Sequence, residues 1–218
     1  MLLALETSDR NCSVCVADPV SGTIVASITE DIGRGHAERL MGMIGAALGD
    51  AGIAYTDLTK IAVCVGPGSF TGIRVALATA TGLSIALGVP VTGVTALQAH
   101  ALEAASTGSG KPIAVLIDAH RGDVYLQNFD TDALPVDASR QIALADLPEL
   151  PSAAFVTAGP GANLVAHEAT AATSGPPAVI NIARAALDPR FTVEAKPLYL
   201  RRPDAKPQEA YTVARALR

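Results

Sequence analysis

The sequence repeats itself at an offset of 112 residues, and this repeat limits the possible folds more than any other feature. LALETSDRNCSVCVAD (3–18) and VLIDAHRGDVYLQNFD (115–130) each join an apolar run to a polar turn and a second, alternating run. Further along, VCVGPG (63–68) is echoed by VTAGPG (156–161). Elements repeated in fixed order predict a duplicated unit, each copy opening with a β-hairpin and later carrying a strand that ends in Gly-Pro-Gly.

Helical patterns lie between these strands. Three stretches have helix-forming patterns: 36–50, 71–87 and 95–105. The segment STGSGK (106–111) is typical of a flexible linker. We therefore predict an α/β protein of two tandem lobes with mixed β-sheets. The N-terminal lobe covers 1–106, and the C-terminal lobe, which ends in a basic tail, covers 111–218.

The charge distribution limits the functions that are open to the chain. A net charge of −5 argues against a free-standing nucleic-acid-binding protein, which carries a basic face. Residues 184–218 hold eight basic and four acidic side chains, so this tail either meets RNA or an acidic partner or is an ordinary solvated end. Residues 75–102 have no charge, but their glycines and Pro90 argue against a membrane span. Together with three cysteines in apolar runs, these features predict a cytoplasmic protein with reduced thiols.

The segment GPGSFTGIR (66–74) follows an apolar strand pattern and is similar to a phosphate-binding loop. A Walker loop needs a lysine after its last glycine, and none is nearby. A dinucleotide loop needs a different glycine spacing and an acid about twenty residues on, whereas the next acid is Glu103. A nucleophile elbow needs serine at the centre of GSFTG, where Phe70 stands. We predict instead that the segment starts a helix, with Ser69 or Thr71 as its N-cap.

The remaining polar residues predict no metal or catalytic site. CSVC (12–15) has the spacing of zinc ligands, but no second pair exists, and residues three apart on a strand point to opposite faces. Glu6 and Asp118 occupy equivalent places in the repeat, where a two-lobed phosphotransferase would hold carboxylates that direct Mg²⁺. Their turns contain one glycine between them, too few to admit phosphates. We predict a structural or vestigial role for both, and no cofactor.

The helical pattern from Val75 to Leu87 has no charged side chain on any face. A surface helix keeps a polar stripe, whereas a helix that is apolar or small all round is buried on all sides. Small residues such as Ala78, Thr79 and Gly82 permit another helix to approach closely. Two interpretations stay open: the helix forms an association surface, or it is completely buried beneath the sheet of its own lobe.

Taken together, five ordered segments resemble the TsaB (YeaZ-type) family of tRNA-modification proteins. They are LALETS (3–8), GHAERL (35–40), VGPGSFTGIRVALATATGLS (65–84), DAHRGDVY (118–125) and PLYLR (197–201). The resemblance covers essentially the whole chain. It implies two tandem actin-like ATPase (ASKHA, ribonuclease H-like) lobes. It also implies a bacterial protein required to form N6-threonylcarbamoyladenosine in tRNAs that read codons beginning with A.

The resemblance also implies partners. Members of this family are non-catalytic partners of TsaD, a related actin-like transferase subunit, and TsaE, an ATPase, joins the two. Homodimers can use the same surface, and tRNA is reached indirectly through the complex. TsaD-type proteins carry two metal-binding histidines in a segment similar to VNHLEGH. The matching VTALQAH (94–100) has Ala96 in place of the first, and His100 alone cannot hold a metal.

The implied docking surface lies on the helices that begin at His36 and Thr71. Its candidate residues are His36, Arg39, Leu40, Met43, Phe70, Thr71, Arg74, Val75, Ala78, Thr79 and Gly82. Two enzymatic alternatives stay open beside this reading. One is a metallopeptidase of the glycoprotease type, against which the missing second histidine speaks. The other is a small-molecule kinase, which tight ATP binding that depends on Glu6 would favour.

Overall fold

A computed structural model describes residues 1–147, 155–164, 175 and 177–201 of the chain. The basic tail beyond 201 therefore lies outside the described residues. The helices are α1 (His36–Asp50), α2 (Phe70–Leu87), α3 (Ala96–Ala105) and α4 (Val179–Ala185). The strands are β1 (Leu2–Glu6), β2 (Asn11–Ala17), β3 (Ile24–Asp31), β4 (Lys60–Cys64), β5 (Val91–Val94), β6 (Ile113–His120), β7 (Asp123–Phe129), β8 (Arg140–Ala143) and β9 (Val156–Ala158).

Two mixed sheets share one strand order. The first runs β3-β2-β1-β4-β5, and the second runs β8-β7-β6-β9. In each, the first strand pairs antiparallel with its hairpin partner and parallel with the strand that ends in Gly-Pro-Gly. Moving β2 along the chain by 112 residues gives the bounds of β7. The duplication is thus confirmed as a pair of actin-like, ribonuclease H-like units, while the lobe boundaries at 106 and 111 stay a prediction.

Side chains alternate in direction along the strands, so the first sheet has an apolar core on each of its two faces. Leu3 and Leu5 pack under α1 and α2, whereas Leu2 and Ala4 point to the opposite face. The cysteines follow the same rule, since Cys12 and Cys15 lie on opposite faces as free, buried thiols, and Cys64 is free and buried too. Burial raises the pKa of both Cys12 and Cys15 to about 11, which keeps them protonated.

Helices α3 and α4 lie between the two sheets in one continuous core. The core joins Leu2 and Ala4 of the first sheet to Ile113 and Val115 of the second. Each helix packs on the sheet from the other half of the chain: α4 contacts β1 and β2, and α3 contacts β6 and β9. The ammonium of Lys60, on β4, donates to a carbonyl just beyond the end of α4.

After α4, residues 192–201 form a strap that returns across the first sheet. Val193 makes an antiparallel bridge to Gly93 at the β5 edge, and the amide of Leu198 donates to the carbonyl of Val65 at 2.9 Å. A Cβ on Gly93 would lie 2.7 Å from the carbonyl oxygen of Glu194, so the close approach of the strap requires glycine there. The strap brings its last residues to the gap between the lobes.

Candidate functional site

The GPGSFTGIR loop is closed against the β1–β2 turn. A Cβ on Gly68 would lie 2.2 Å from the carbonyl oxygen of Ser8, and one on Gly72 would lie 1.8 Å from that of Thr7. The amide of Ser69 donates to Ser8 O at 2.6 Å, and Thr7 Oγ1 donates to Gly72 O at 2.7 Å. Two of the loop glycines therefore make room for backbone carbonyls of the neighbouring turn.

The same loop starts α2 as predicted. Ser69 is the N-cap, and its Oγ accepts a hydrogen bond from the amide of Gly72 at 3.2 Å. The helix runs for 18 residues to Leu87 and ends at Gly88, whose φ of 70° is in the left-handed region that glycine favours. Of the two N-cap candidates, Ser69 is confirmed, and Thr71 lies inside the first turn.

The outer side of α2 is exposed to solvent, although the helix has no charged side chain after Arg74. Its inner side packs on the first sheet, whereas Ile85 is 79% exposed. Complete burial beneath the lobe's own sheet is therefore wrong. Among the described helices, α2 is the one long and apolar enough to cross a membrane by length and composition. Its buried residues, among them Ile73, Ala76, Leu77 and Ala80, pack on the first sheet.

Helix α1 lies beside α2 and continues this surface. The two helices contact each other and cover the same face of the sheet. The outer side of α1 is made mostly of small residues, with Met41 47% exposed among them. We call the exposed small and apolar residues of both helices the α1–α2 face: Met41, Gly42, Gly45, Ala46, Ala78, Thr81, Gly82, Ile85 and Ala86.

Three predicted docking residues lie inside the lobe. Leu40 and Met43 belong to the buried stripe of α1, at 0% and 2% exposure. His36 is also buried, and its Nε2 lies 3.1 Å from the carbonyl oxygen of Asn11, which ties the start of α1 to β2. The resemblance pointed to the start of this helix, and these three side chains lie on its core-facing side, so they support the surface from beneath.

The other predicted residues lie at or near the surface. Arg39 is exposed and forms two hydrogen bonds of 2.6 Å with Glu30 on β3. Val75 and Thr79 are half-buried at the edge of the stripe. The remaining candidates are exposed along one side of α2: Phe70, Thr71, Arg74, Ala78 and Gly82. The sequence prediction did not include the exposed outer residues of α1 or the exposed residues Thr81, Ile85 and Ala86 near the end of α2. A helical wheel that marks the side away from the core would have identified them.

An aromatic and cationic cluster stands at the N-terminal end of α2. The guanidinium of Arg74 lies 3.7 Å from the ring centre of Phe70, and its Nε donates to the hydroxyl of Tyr199 at 2.9 Å. The rings of Phe70 and Tyr199 are stacked with their centres 5.3 Å apart. Because Tyr199 belongs to the strap, this cluster joins the strap to the start of α2.

The two repeated carboxylates occupy different surroundings. Glu6 is fully buried, and its Oε1 accepts from the amide of Ser8 at 2.6 Å and from the Ser8 hydroxyl. Burial raises the pKa of Glu6 to about 7. Asp118 is partly exposed and accepts from the amide of His120 at 2.7 Å. Each carboxylate holds its own turn, which is compatible with the predicted structural role. Across the described residues, no three His, Cys, Asp or Glu side chains gather to hold a metal.

Comparison with known proteins identifies relatives over most of the chain. Residues 23–185 match the family described as TsaD, tRNA N6-adenosine threonylcarbamoyltransferase. An uncharacterized protein of Mycobacterium tuberculosis is 37% identical over 177 residues, which cover 80% of this chain and 79% of that protein. The tRNA threonylcarbamoyladenosine biosynthesis protein TsaB of Escherichia coli is 33% identical over 131 residues, covering 60% of this chain and 55% of that protein.

A solved structure agrees with these sequence matches. YeaZ from Pseudomonas aeruginosa superposes with a TM-score of 0.76 at 29% sequence identity. The superposition covers 91% of this chain and 99% of that one. The likeness therefore extends over both sheets and the helices between them.

Proposed function

The chain belongs to the TsaB (YeaZ-type) family of tRNA threonylcarbamoyladenosine biosynthesis proteins, and on that premise we propose that it is a non-catalytic subunit supporting a TsaD-type transferase subunit. The complex forms N6-threonylcarbamoyladenosine in tRNAs that read codons beginning with A. A TsaE-type ATPase is the further partner, and tRNA is reached through the complex in the cytoplasm.

The α1–α2 face carries this proposal. It is uncharged from Val75 to Leu87, exposed, and built largely from small side chains. An added Cβ on Gly42 or Gly82 would meet no atom within 4 Å from the rest of the described chain beyond the helix itself, so these glycines leave the helices open to an approaching surface. A face of this kind favours a helical partner that supplies the bulkier side chains. A TsaD-type subunit has a related fold, and a second copy of this chain competes for the same face.

The closed loop supports an accessory role. A phosphate needs free amides and open space at a strand–helix junction. Here the carbonyl oxygens of Thr7 and Ser8 lie where side chains at Gly72 and Gly68 would be, and Ser69 caps the helix start. The loop thus serves to hold the first turn of α2, from which the α1–α2 face extends.

Substitution of Ala78 by arginine tests the docking surface. Ala78 is exposed, so the free chain tolerates the change, but an unpaired guanidinium buried in a complex costs roughly 3 kcal/mol or more. We expect affinity for the TsaD-type subunit to fall at least about 100-fold, measured by calorimetry with purified proteins. Ala138→Arg, at an exposed alanine of the second lobe, is the matched control and should bind normally. Equal binding by both variants would refute this placement of the interface.

Depletion of the protein in its host tests the function itself. We expect threonylcarbamoyladenosine in bulk tRNA, measured by mass spectrometry, to fall with the protein and to recover with wild-type or Ala138→Arg chains. Ala78→Arg should not restore it. An unchanged level after depletion would overturn the proposed function, and metal-dependent peptide hydrolysis by the pure chain would point to the metallopeptidase alternative.

A further inference from the structure

Glu6 is a carboxyl group sealed inside the first lobe. It is the last residue of β1 and has no exposed surface. Its Oε1 accepts from both the amide and the hydroxyl of Ser8, but its Oε2 has no partner among the described residues. A buried carboxylate costs far more free energy than a buried neutral carboxyl unless its oxygens are paired. The closed arrangement therefore favours the protonated form of Glu6.

The titratable groups nearest to Glu6 in the sheet and the turn are acids. They are Asp9 in the β1–β2 turn, Cys12 on β2 and Cys64 on β4. Burial raises the pKa of both thiols and keeps them uncharged, so the charge among these groups is the negative one of Asp9. Burial first and Asp9 second raise the pKa of Glu6 to about 7, against the opposite effect of the Ser8 hydrogen bonds.

The described parts of the helices pair no cation with Glu6. Helices α2 and α4 both pack on β1, and each has one charged side chain, Arg74 and Arg184. Both side chains are exposed, and the guanidinium of Arg74 lies on the Phe70 ring. On α3, burial lowers the pKa of His100 to about 4, so its ring is neutral where Glu6 titrates. An ionised Glu6 is thus left without a positive partner in the described chain.

Ser8 connects Glu6 to the start of α2. The residue that holds Glu6 through its amide and hydroxyl also accepts, through its carbonyl, from the amide of Ser69 at 2.6 Å. Ser69 is the N-cap of α2, and beside it Thr7 Oγ1 donates to Gly72 O at 2.7 Å. The β1–β2 turn therefore cannot move without breaking contacts that hold the first turn of the helix.

Solvent lies directly beyond this turn. Ser8 and Asp9 line a cleft of about 1200 Å³ between the lobes, and Gly68 lines it from the GPGSFTGIR loop. If the turn moves into the cleft, the Glu6 carboxylate reaches water, where its pKa returns to the ordinary value of 4.5. The closed turn thus favours protonated Glu6 and the open turn favours the ionised form, which is the basis of a two-state switch.

We propose that the β1–β2 turn and the GPGSFTGIR loop form a pH-sensitive latch, which is closed while Glu6 is protonated and opens when Glu6 loses its proton to water. Opening removes the Ser8–Ser69 and Thr7–Gly72 hydrogen bonds, so the first turn of α2 frays and the α1–α2 face loses its fixed N-terminal end. The opening is a property of the free chain, whereas its effect on binding rests on the docking role proposed above.

Hydrogen exchange of the free chain, read at the amides of Ser69 and Gly72, tests the latch. The pKa of Glu6 is about 7 in the closed turn and 4.5 in the open one, so the closed-to-open ratio falls between these pH values and levels off above them. From pH 6 to 8 we expect the protection factors of both amides to fall about tenfold, after correction for the intrinsic rate. Glu6→Gln cannot ionise and should show no fall. Protection in the wild type that does not change with pH overturns the proposal.

Two controls separate the latch from a general loosening of the fold. The amide of Gln98 donates to Thr95 Oγ1 at the start of α3, an N-cap bond of the same kind outside the turn, and its protection should change much less. Glu103→Gln replaces another carboxyl whose pKa is raised by burial, and it should keep the fall at Ser69 and Gly72. An equal fall at Gln98, or loss of the fall in Glu103→Gln, contradicts the latch.

Calorimetry with the TsaD-type subunit tests the effect on docking. Because binding selects the closed form, the wild-type Kd should rise about threefold or more from pH 6 to 8, and the Kd of Glu6→Gln should change much less. Equal pH dependence in the two proteins would refute the link between the latch and the docking surface. Absence of binding at every pH would refute the docking role instead, and the exchange of the free chain would still decide whether the latch exists.

Discussion

Replacement of Gly72 by alanine measures how tightly the helix start is held against the β1–β2 turn. An ideal Cβ there would lie 1.8 Å from Thr7 O, a backbone atom that no rotamer change can move. The two segments must separate, at an overpacking cost of about 1–3 kcal/mol. Separation weakens the Thr7 Oγ1–Gly72 O and Ser69 N–Ser8 O hydrogen bonds, at about 1 kcal/mol each. Alanine's helix propensity returns about 1 kcal/mol, so we expect a net loss of ~2–4 kcal/mol.

Gly82→Ala is the matched control on the same helix. Apart from the helix's own backbone, no atom of the described residues lies within 4 Å of the added Cβ, so alanine should raise stability by up to ~1 kcal/mol. Urea unfolding followed by circular dichroism reports both free energies, provided that the slope of the transition is unchanged. The reasoning is refuted if the two variants shift stability in the same direction, or if Gly72→Ala loses less than about 1 kcal/mol.

Three further changes give distinct signatures in the same unfolding assay. Burial raises the pKa of Glu6 from 4.5 to about 7, so the folded chain retains a proton that the unfolded chain loses. Stability then falls by ~3 kcal/mol between these pH values, and Glu6→Gln should abolish the fall. The pKa of His100 is lowered from 6.5 to about 4, which makes stability rise between pH 4 and 6.5, and His100→Leu should remove the rise. If Glu6→Gln or His100→Leu keeps the wild-type dependence of stability on pH, the fall or the rise does not come from the residue that was replaced. Thr95→Ala removes the N-cap of α3, whose Oγ1 accepts from the amide of Gln98 at 2.9 Å, and should cost ~1 kcal/mol. An undiminished urea midpoint would show that the cap is dispensable.

The local elements of this fold could be predicted because their signals are local. The offset of 112 residues places β7 from β2 without any knowledge of the sheets, and Gly88 ends α2 through its own left-handed conformation. The placement of α3 and α4 between the sheets could not be predicted in this way. It depends on which apolar faces pack together although they are far apart in sequence. Hydrophobic periodicity shows that an element has an apolar face, but not which other element packs against that face.

The candidate site was predictable only in part. Absence of charge identified α2 as unusual, but it could not show which side of the helix faces water. The resemblance indicated which helices to consider but not which side of α1 faces water, so Leu40 and Met43, which are buried, were included on the predicted docking surface. His100 stood out in the sequence only as half of a missing metal pair. Within the part of the chain that the structure describes, its ring nitrogens have no hydrogen-bond partner, and this depends on surroundings that only the folded chain reveals.

Helices α3 and α4 each pack on the sheet from the other half of the chain, and this arrangement determines how the two halves unfold and separate. Each half of the chain supplies a helix that covers one face of the other half's sheet, so among the described residues the apolar core between the sheets is complete only when both halves are present. A protease cut in the exposed linker should leave two fragments that co-elute and melt in a single transition. Expressed separately, each fragment should aggregate until the other is added, because the surface that one half leaves bare is the surface that the other half covers.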